Sequence, residues 1–205
     1  MNLKKLAMIA AFAAFSTNAA MAANFAEGVD AGQTLATAQV LGGGTDSITG
    51  ALSGDADIFK FAWGGGAFYA DTLGSNFDTQ LFLFDSTGAG IRANDDGLTG
   101  LRSYIDPILA AGIYYLAISG FDNDPISASG IMFQSSPYSP QYGPNFPGET
   151  LQSWVGGGDT GSYIINFRSE SGEVVQTGEV PEPASVALLG MGLFGLFAAK
   201  RKQVK

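Results

Sequence analysis

The chain has 205 residues, 46% of them hydrophobic, with 10 Lys+Arg against 19 Asp+Glu and a formal net charge of −9. It contains no Cys and no His, which excludes disulfides, thiol nucleophiles, histidine bases and His-ligated zinc within the chain. The acidic balance leaves no basic stripe for nucleic acid or anionic lipid, and it suits divalent cations or plain solubility.

Residues 1–22 have the pattern of a secretory signal peptide. Lys4 and Lys5 form a positive start and Leu6–Phe15 an apolar run. Ala20-Met21-Ala22 is a small-residue site, with cleavage by signal peptidase expected before Ala23. The exported region then runs from about Ala23 to Val180. It holds 18 acidic side chains and four basic ones (Lys60, Arg92, Arg102 and Arg168), a net charge of −14. That length makes one ordinary domain.

Residues 23–44 are an acidic lead-in, with a strand or a helical turn around Thr34–Val40, ending in Gly42-Gly43-Gly44. From there short strands recur. Ser47–Leu52 is the first. Asp57–Trp63 alternates, placing Phe59, Phe61 and Trp63 on one face and Lys60 on the other. Ala67–Leu73 follows Gly64-Gly65-Gly66. Asp78–Phe84 is apolar on both faces, as in a strand buried centrally. Asp85–Gly90 turns the chain, and Ile91–Asn94 returns as its hairpin partner. Leu101–Ile105 and Ile113–Ser119 are further strands. Strands at this spacing between Gly, Asp, Asn and Pro turns predict an all-β sandwich.

Residues 121–158 break the rhythm with Pro, Ser, Gly and aromatics, reading as a long loop insert that is either functional or disordered. Gly161–Ser169 closes the fold, with Tyr163, Ile165 and Phe167 on one face. Residues 170–179 are a polar stalk.

The last segment, 180–205, has three parts. Val180-Pro181-Glu182-Pro183 is a rigid opening, because proline disfavours helix at the residue before it. Ala184–Ala199 is uncharged and spans about 24 Å as a helix, short against a bilayer core of about 30 Å. Lys200, Arg201 and Lys202 are a positive stop that stays cytoplasmic, so the upstream chain faces outward from the inner membrane. A buried core helix or a plain single-pass anchor would explain the apolar run alone. The three parts together resemble the PEP-CTERM sorting signal of Gram-negative bacteria. That resemblance implies recognition by exosortase, a membrane-embedded cysteine transpeptidase-like enzyme. It also implies removal of the tail near the motif and an organism that makes exopolysaccharide.

A second resemblance covers residues 48–169. Asp55–Phe61, Asp78–Asp85, Gly90–Asp96, Leu109–Leu116 and Tyr163–Phe167 follow the order and spacing of a bacterial pre-peptidase C-terminal-type domain. The family implies a jelly-roll-like β-sandwich of about eight strands without catalysis of its own. Its members accompany secreted enzymes or stand in exported proteins, and several bind calcium or polymer surfaces. The 121–158 insert departs from that family's compact hairpin.

Three constellations carry chemistry worth testing. Asn94, Asp95 and Asp96 beside Asp55 and Asp57 would make an oxygen-rich Ca2+ site, though no EF-hand spacing is present and Asp and Asn also simply form turns. Asp122-Asn123-Asp124 is a second such cluster. Tyr138, Tyr142, Phe146 and Trp154 in the insert would stack on sugar rings, or else tuck the loop onto its own sandwich. No cofactor is required by any of these patterns, with Ca2+ the one cation they suit. The expectation is a non-enzymatic protein sorted by exosortase to the envelope or extracellular matrix, alongside exopolysaccharide. A calcium-dependent carbohydrate-binding module is the alternative, and a hydrolase the weaker one.

Overall fold

The alternating run Asp57–Trp63 shows how this fold is built. Its odd positions Phe59, Phe61 and Trp63 are buried in one core, while Ile58 belongs to another and Lys60 lies 5.7 Å over the Tyr115 ring on that second face. The strand is thus covered on both sides, and each side has its own partner layer.

The computed structural model describes residues 23–97, 99–168 and 174–175. The expected signal peptide, the remaining residues of the expected stalk and the tail lie outside the described residues. The described chain is all-β and sandwich-like. Its strands are β1 (Ala23–Ala26), β2 (Gln39–Val40), β3 (Thr45–Leu52), β4 (Ala56–Trp63), β5 (Gly66–Ala67), β6 (Tyr69–Asp71), β7 (Thr79–Asp85) and β8 (Gly90–Asn94). They continue with β9 (Tyr104–Ile105), β10 (Ile108–Leu109), β11 (Gly112–Gly120), β12 (Asn123–Ser127), β13 (Gly130–Ile131), β14 (Ser153–Gly156), β15 (Gly161–Arg168) and β16 (Val174–Val175).

One sheet runs β1-β3-β15-β6-β9, and the other runs β16-β4-β11-β7-β8, with β2 also pairing β4. Between them lies the main core. Phe59, Phe61, Trp63, Leu81, Leu83, Leu116 and Ile118 come from the second sheet, facing Ile48, Ala70, Ile105, Tyr163, Ile165 and Phe167 from the first. Aromatic rings dominate it. Phe68 stacks on Phe61 at 5.4 Å and meets Trp63 edge-on at 5.1 Å. Pairs of this kind add about 0.5–1.5 kcal/mol beyond their buried area.

The hairpin β7–β8 forms as the sequence predicts, and β7 is central, between β11 and β8. Two expected strands come out differently. Ala67–Leu73 is split at Phe68, whose amide donates to the Pro107 carbonyl, so β5 pairs β10 while β6 pairs β15. The split turns Phe68 into the core. Leu101–Ile105 shrinks to β9, because Arg102 uses its amide and carbonyl locally with Gly100 and Gly97.

The insert is the larger correction. It is not a structureless loop: β12, β13 and β14 make a three-stranded sheet in the order β13-β12-β14. Met132 and Phe133 are buried against Ile58, Phe82, Phe84, Ala93, Tyr115 and Ala117, the outer face of the second sheet. Leu35 and Ala38 of the lead-in and Leu151 and Trp154 pack on the same cluster. A sheet with two apolar faces needs two covers, and the insert with the lead-in supplies the second.

Candidate functional site: two acidic clusters

Asp57 and Asn94 lie in one row across the second sheet. Asp57 pairs with Ile118, Ile118 with Leu81, and Leu81 with Asn94. Three strand spacings of about 4.8 Å separate them by roughly 14 Å. The expected single site of Asp55, Asp57, Asn94, Asp95 and Asp96 is therefore not what the fold builds. Among the described residues it builds two acidic clusters, Glu27–Asp30–Asp57 and Asp78–Asp95–Asp96.

The first cluster forms because β1 pairs in parallel with β3 and brings the lead-in beside β4. Glu27 is held by the Ala31 amide at 2.8 Å and the Ala51 amide at 3.2 Å. The Tyr163 hydroxyl donates to Asp57 Oδ2 at 2.7 Å and lies 3.1 Å from Glu27 Oε2. Gly50, opposite Tyr163 in the sheet, permits this, since a Cβ there would sit 2.3 Å from the hydroxyl. Burial pushes the Asp57 carboxyl up to about 8; the Tyr163 bond opposes this, and the charges of Glu27, Asp30 and Asp55 add to it. The Tyr163 phenol is raised as well, by burial and by the Asp57 and Glu27 carboxylates. Asp55 itself turns away to its own bend, accepting from the Ser53 amide and hydroxyl.

The second cluster sits at the open end of the β7–β8 hairpin. Asp78 directly precedes β7, and Asp95 and Asp96 directly follow β8. Asn94 is not free to be a ligand. Its Oδ1 accepts from the Tyr104 amide at 2.9 Å, and its Nδ2 donates to the carbonyls of Asp96, Ser139 and Pro140 at 3.1–3.3 Å. It is the clamp that fixes the bend carrying the two aspartates, helped by the Asp96 amide on the Tyr138 carbonyl. On the other side, Thr79 locks the backbone next to Asp78. Its hydroxyl lies 2.6 Å from that of Thr72 and 3.0 Å from that of Ser103 in a buried network.

Asp95 is 6% exposed, and neither of its carboxylate oxygens has a hydrogen-bond partner among the described residues. Asp78 Oδ1 is likewise buried and without one. Burial raises the Asp95 carboxyl to about 8, with Asp78, Asp96 and Asp124 adding to it. Asp78 is also raised, by burial first and by Asp96 and Asp159, with Arg102 opposing. Arg102 Nη1 is directed to the carbonyls of Phe77 and Leu101 at 2.6 and 2.9 Å.

The Asp122–Asp124 segment does not form a third cluster. Asp124 is buried and accepts from Gln80 Nε2 at 3.2 Å, Asn123 lies in β12, and Asp122 takes a left-handed turn at φ 63°. The aromatics of the insert turn inward. Trp154 meets Phe82 edge-on at 5.5 Å and donates from Nε1 to the Gln33 carbonyl at 2.8 Å. Tyr142 donates to the Pro137 carbonyl, and its backbone pairs with Ala93. Tyr138 remains 43% exposed, with Phe121 against its ring at 5.5 Å. These rings do not form one open platform.

Sequence reasoning missed Asp78, Glu27 and Asp30. Asp78 was recoverable: a hairpin turning at Asp85–Gly90 must bring the start of β7 beside the end of β8. Glu27 and Asp30 were not, because nothing local announces a parallel pairing.

Residues 179–202 match the PEP-CTERM protein-sorting motif. The matched span takes in Val180–Pro183, the apolar run and Lys200–Lys202. Such a motif marks an exported, membrane-transiting precursor that exosortase processes and that is then sorted to the envelope. No curated protein matches the chain.

Proposed function

We propose that this protein is a non-enzymatic cargo of exosortase sorting, delivered to the cell envelope or extracellular matrix in association with exopolysaccharide. The sorting motif at 179–202 is the observation that carries the reading. Several features support it. The exported region is strongly acidic and lacks His and Cys, so nucleophile–base pairs built on those residues have no members here. The chain devotes its one long insert to covering its own sheet. The pre-peptidase C-terminal-like order of its strands fits a stable module displayed outside the cell. Signal peptidase would act before Ala23, and the tail would hold the sandwich outward from the inner membrane until it is removed.

Cell fractionation tests this. The wild-type protein should be shortened at its C-terminus and recovered in the envelope or matrix fraction. A variant with Pro181, Glu182 and Pro183 all changed to Ala should stay full length in the membrane. Equal release of both would overturn the sorting. Unchanged matrix recovery from cells that make no exopolysaccharide would overturn the association alone.

A further inference from the structure

We propose that Asp78, Asp95 and Asp96 form a calcium site at the open end of the β7–β8 hairpin. The inference stands apart from the sorting reading, since it concerns the folded domain and not its tail.

Three observations support it. One carboxylate oxygen from each of the three residues lies within 4.8 Å of the other two, which is the width of a Ca2+ coordination sphere, twice a Ca–O distance of about 2.4 Å. Asp95 is 94% buried with both oxygens unpartnered, and Asp78 Oδ1 is in the same condition, among the described residues. Buried carboxylate oxygens without donors are costly, and native folds rarely leave them so. One proton could satisfy one oxygen, whereas a hard cation would satisfy all three. The surrounding structure also fixes the backbone on either side of the ligands. Asn94 bonds the Asp96 carbonyl, the Ser139 and Pro140 carbonyls and the Tyr104 amide, and Thr72, Thr79 and Ser103 brace the strand start after Asp78.

The donor set selects the cation. All three ligands are carboxylates, which suit Ca2+ and Mg2+ and not soft metals. Ca2+ accepts irregular geometry and 6–8 oxygens, so three carboxylates with added water are enough, and Asp96, half-buried, leaves the approach open. Mg2+ demands a stricter octahedron at shorter distances. Exported modules meet Ca2+ at about 10⁻⁴–10⁻³ M dissociation constants, which is the range such a site would need.

The purified full chain in detergent gives the test. Thermal melts are compared in EGTA and in about 5 mM CaCl2, with calorimetric titration of Ca2+ alongside. Wild type should gain about 5 °C with Ca2+. Asp95→Asn and Asp78→Asn should each lose that gain and weaken binding at least about tenfold, the loss expected when one charged ligand goes. In EGTA, Asp95→Asn should melt no lower than wild type, because the amide has the same shape and takes away no hydrogen bond that the carboxyl oxygens receive among the described residues, so its lost response is not misfolding. Asp78→Asn serves as the second variant should the first fail to fold. Asp57→Asn, in the other cluster, should keep the response. The proposal is overturned if wild type shows no Ca2+ gain, if both Asp78→Asn and Asp95→Asn keep it, or if Asp57→Asn abolishes it.

Discussion

The β7–β8 hairpin carries aspartates at both ends, and Asp85 at one and Asp95 at the other have opposite environments. At the closed end, Asp85 Oδ1 accepts from the Thr87 amide at 2.8 Å, the Thr87 hydroxyl at 2.6 Å and the Ala89 amide at 3.1 Å. Its carboxyl is lowered, because those bonds outweigh a partial burial that would raise it. At the open end, Asp95 is more deeply buried, receives no donor among the described residues, and is raised to about 8. Asp57 stands between the two, with one oxygen bonded to Tyr163 and the other bare, and it too is raised to about 8. Burial alone therefore does not decide what an aspartate does here. Depth of burial and the number of donors aimed at it together decide the sign. A turn aspartate with its donors is a structural cap, whereas a buried one without them waits for a proton or a cation.

The largest expected effect uses Asp57, the intermediate case. Its folded carboxyl keeps a proton to about pH 8, while in the unfolded chain it releases that proton near its ordinary 3.8. Between those values the folded state binds more protons, so stability falls as pH rises. The slope from one group approaches about 1.4 kcal/mol per pH unit at most. The groups facing it are Glu27, Asp30, Asp55 and Tyr163. In metal-free buffer, Asp57→Asn should flatten this slope, matching wild type near pH 4 and exceeding it in urea midpoint at pH 8. An unchanged slope would place the titration elsewhere.

Next in size is the cover that holds both hairpin ends in place. Trp154 seals Phe82 on the outer face and ties β14 to the Gln33 carbonyl. Trp154→Ala should cost about 2–3 kcal/mol in urea unfolding, at or below the low end for a buried tryptophan because this one is only half-buried. It should also raise protease cutting within 121–158, since the same cluster anchors Met132 and Phe133. A fall in glycan binding without any loss of stability would return Trp154 to the surface role its sequence context suggested.

The parts of the fold that were legible beforehand are those with local signals. Asp57–Trp63 declares its two faces by alternation, and Asp78–Phe84 declares a buried strand by having no polar face. The tail reads directly because a sorting motif is recognised as linear sequence. The insert was opaque for the opposite reason. Its apolar residues Met132, Phe133 and Trp154 are scattered among Pro, Ser and Gly, and their partners Phe82 and Phe84 are far away in sequence on β7. The acidic sites suffered similarly. Turn aspartates announce themselves, but which of them converge depends on register, and counting strands between Asp57 and Asn94 requires knowing that β11 and β7 intervene.

The smallest effect isolates the closed end. Asp85→Ala removes three hydrogen bonds from a half-buried turn and should cost about 1–2 kcal/mol. Because the folded carboxyl is lowered, its stabilisation is present above the ordinary value of 3.8 and is lost as pH falls through the lower folded value. The deficit of Asp85→Ala should therefore be seen at pH 6 and should narrow toward pH 3. Asp85→Asn, which keeps the acceptor and drops the charge, should cost less than Asp85→Ala at pH 6. Both should retain the Ca2+ response in full, although they lie on the same hairpin as Asp78 and Asp95. Loss of that response in either would mean that the two ends are coupled along the strands, and that donor count at each end cannot be read separately.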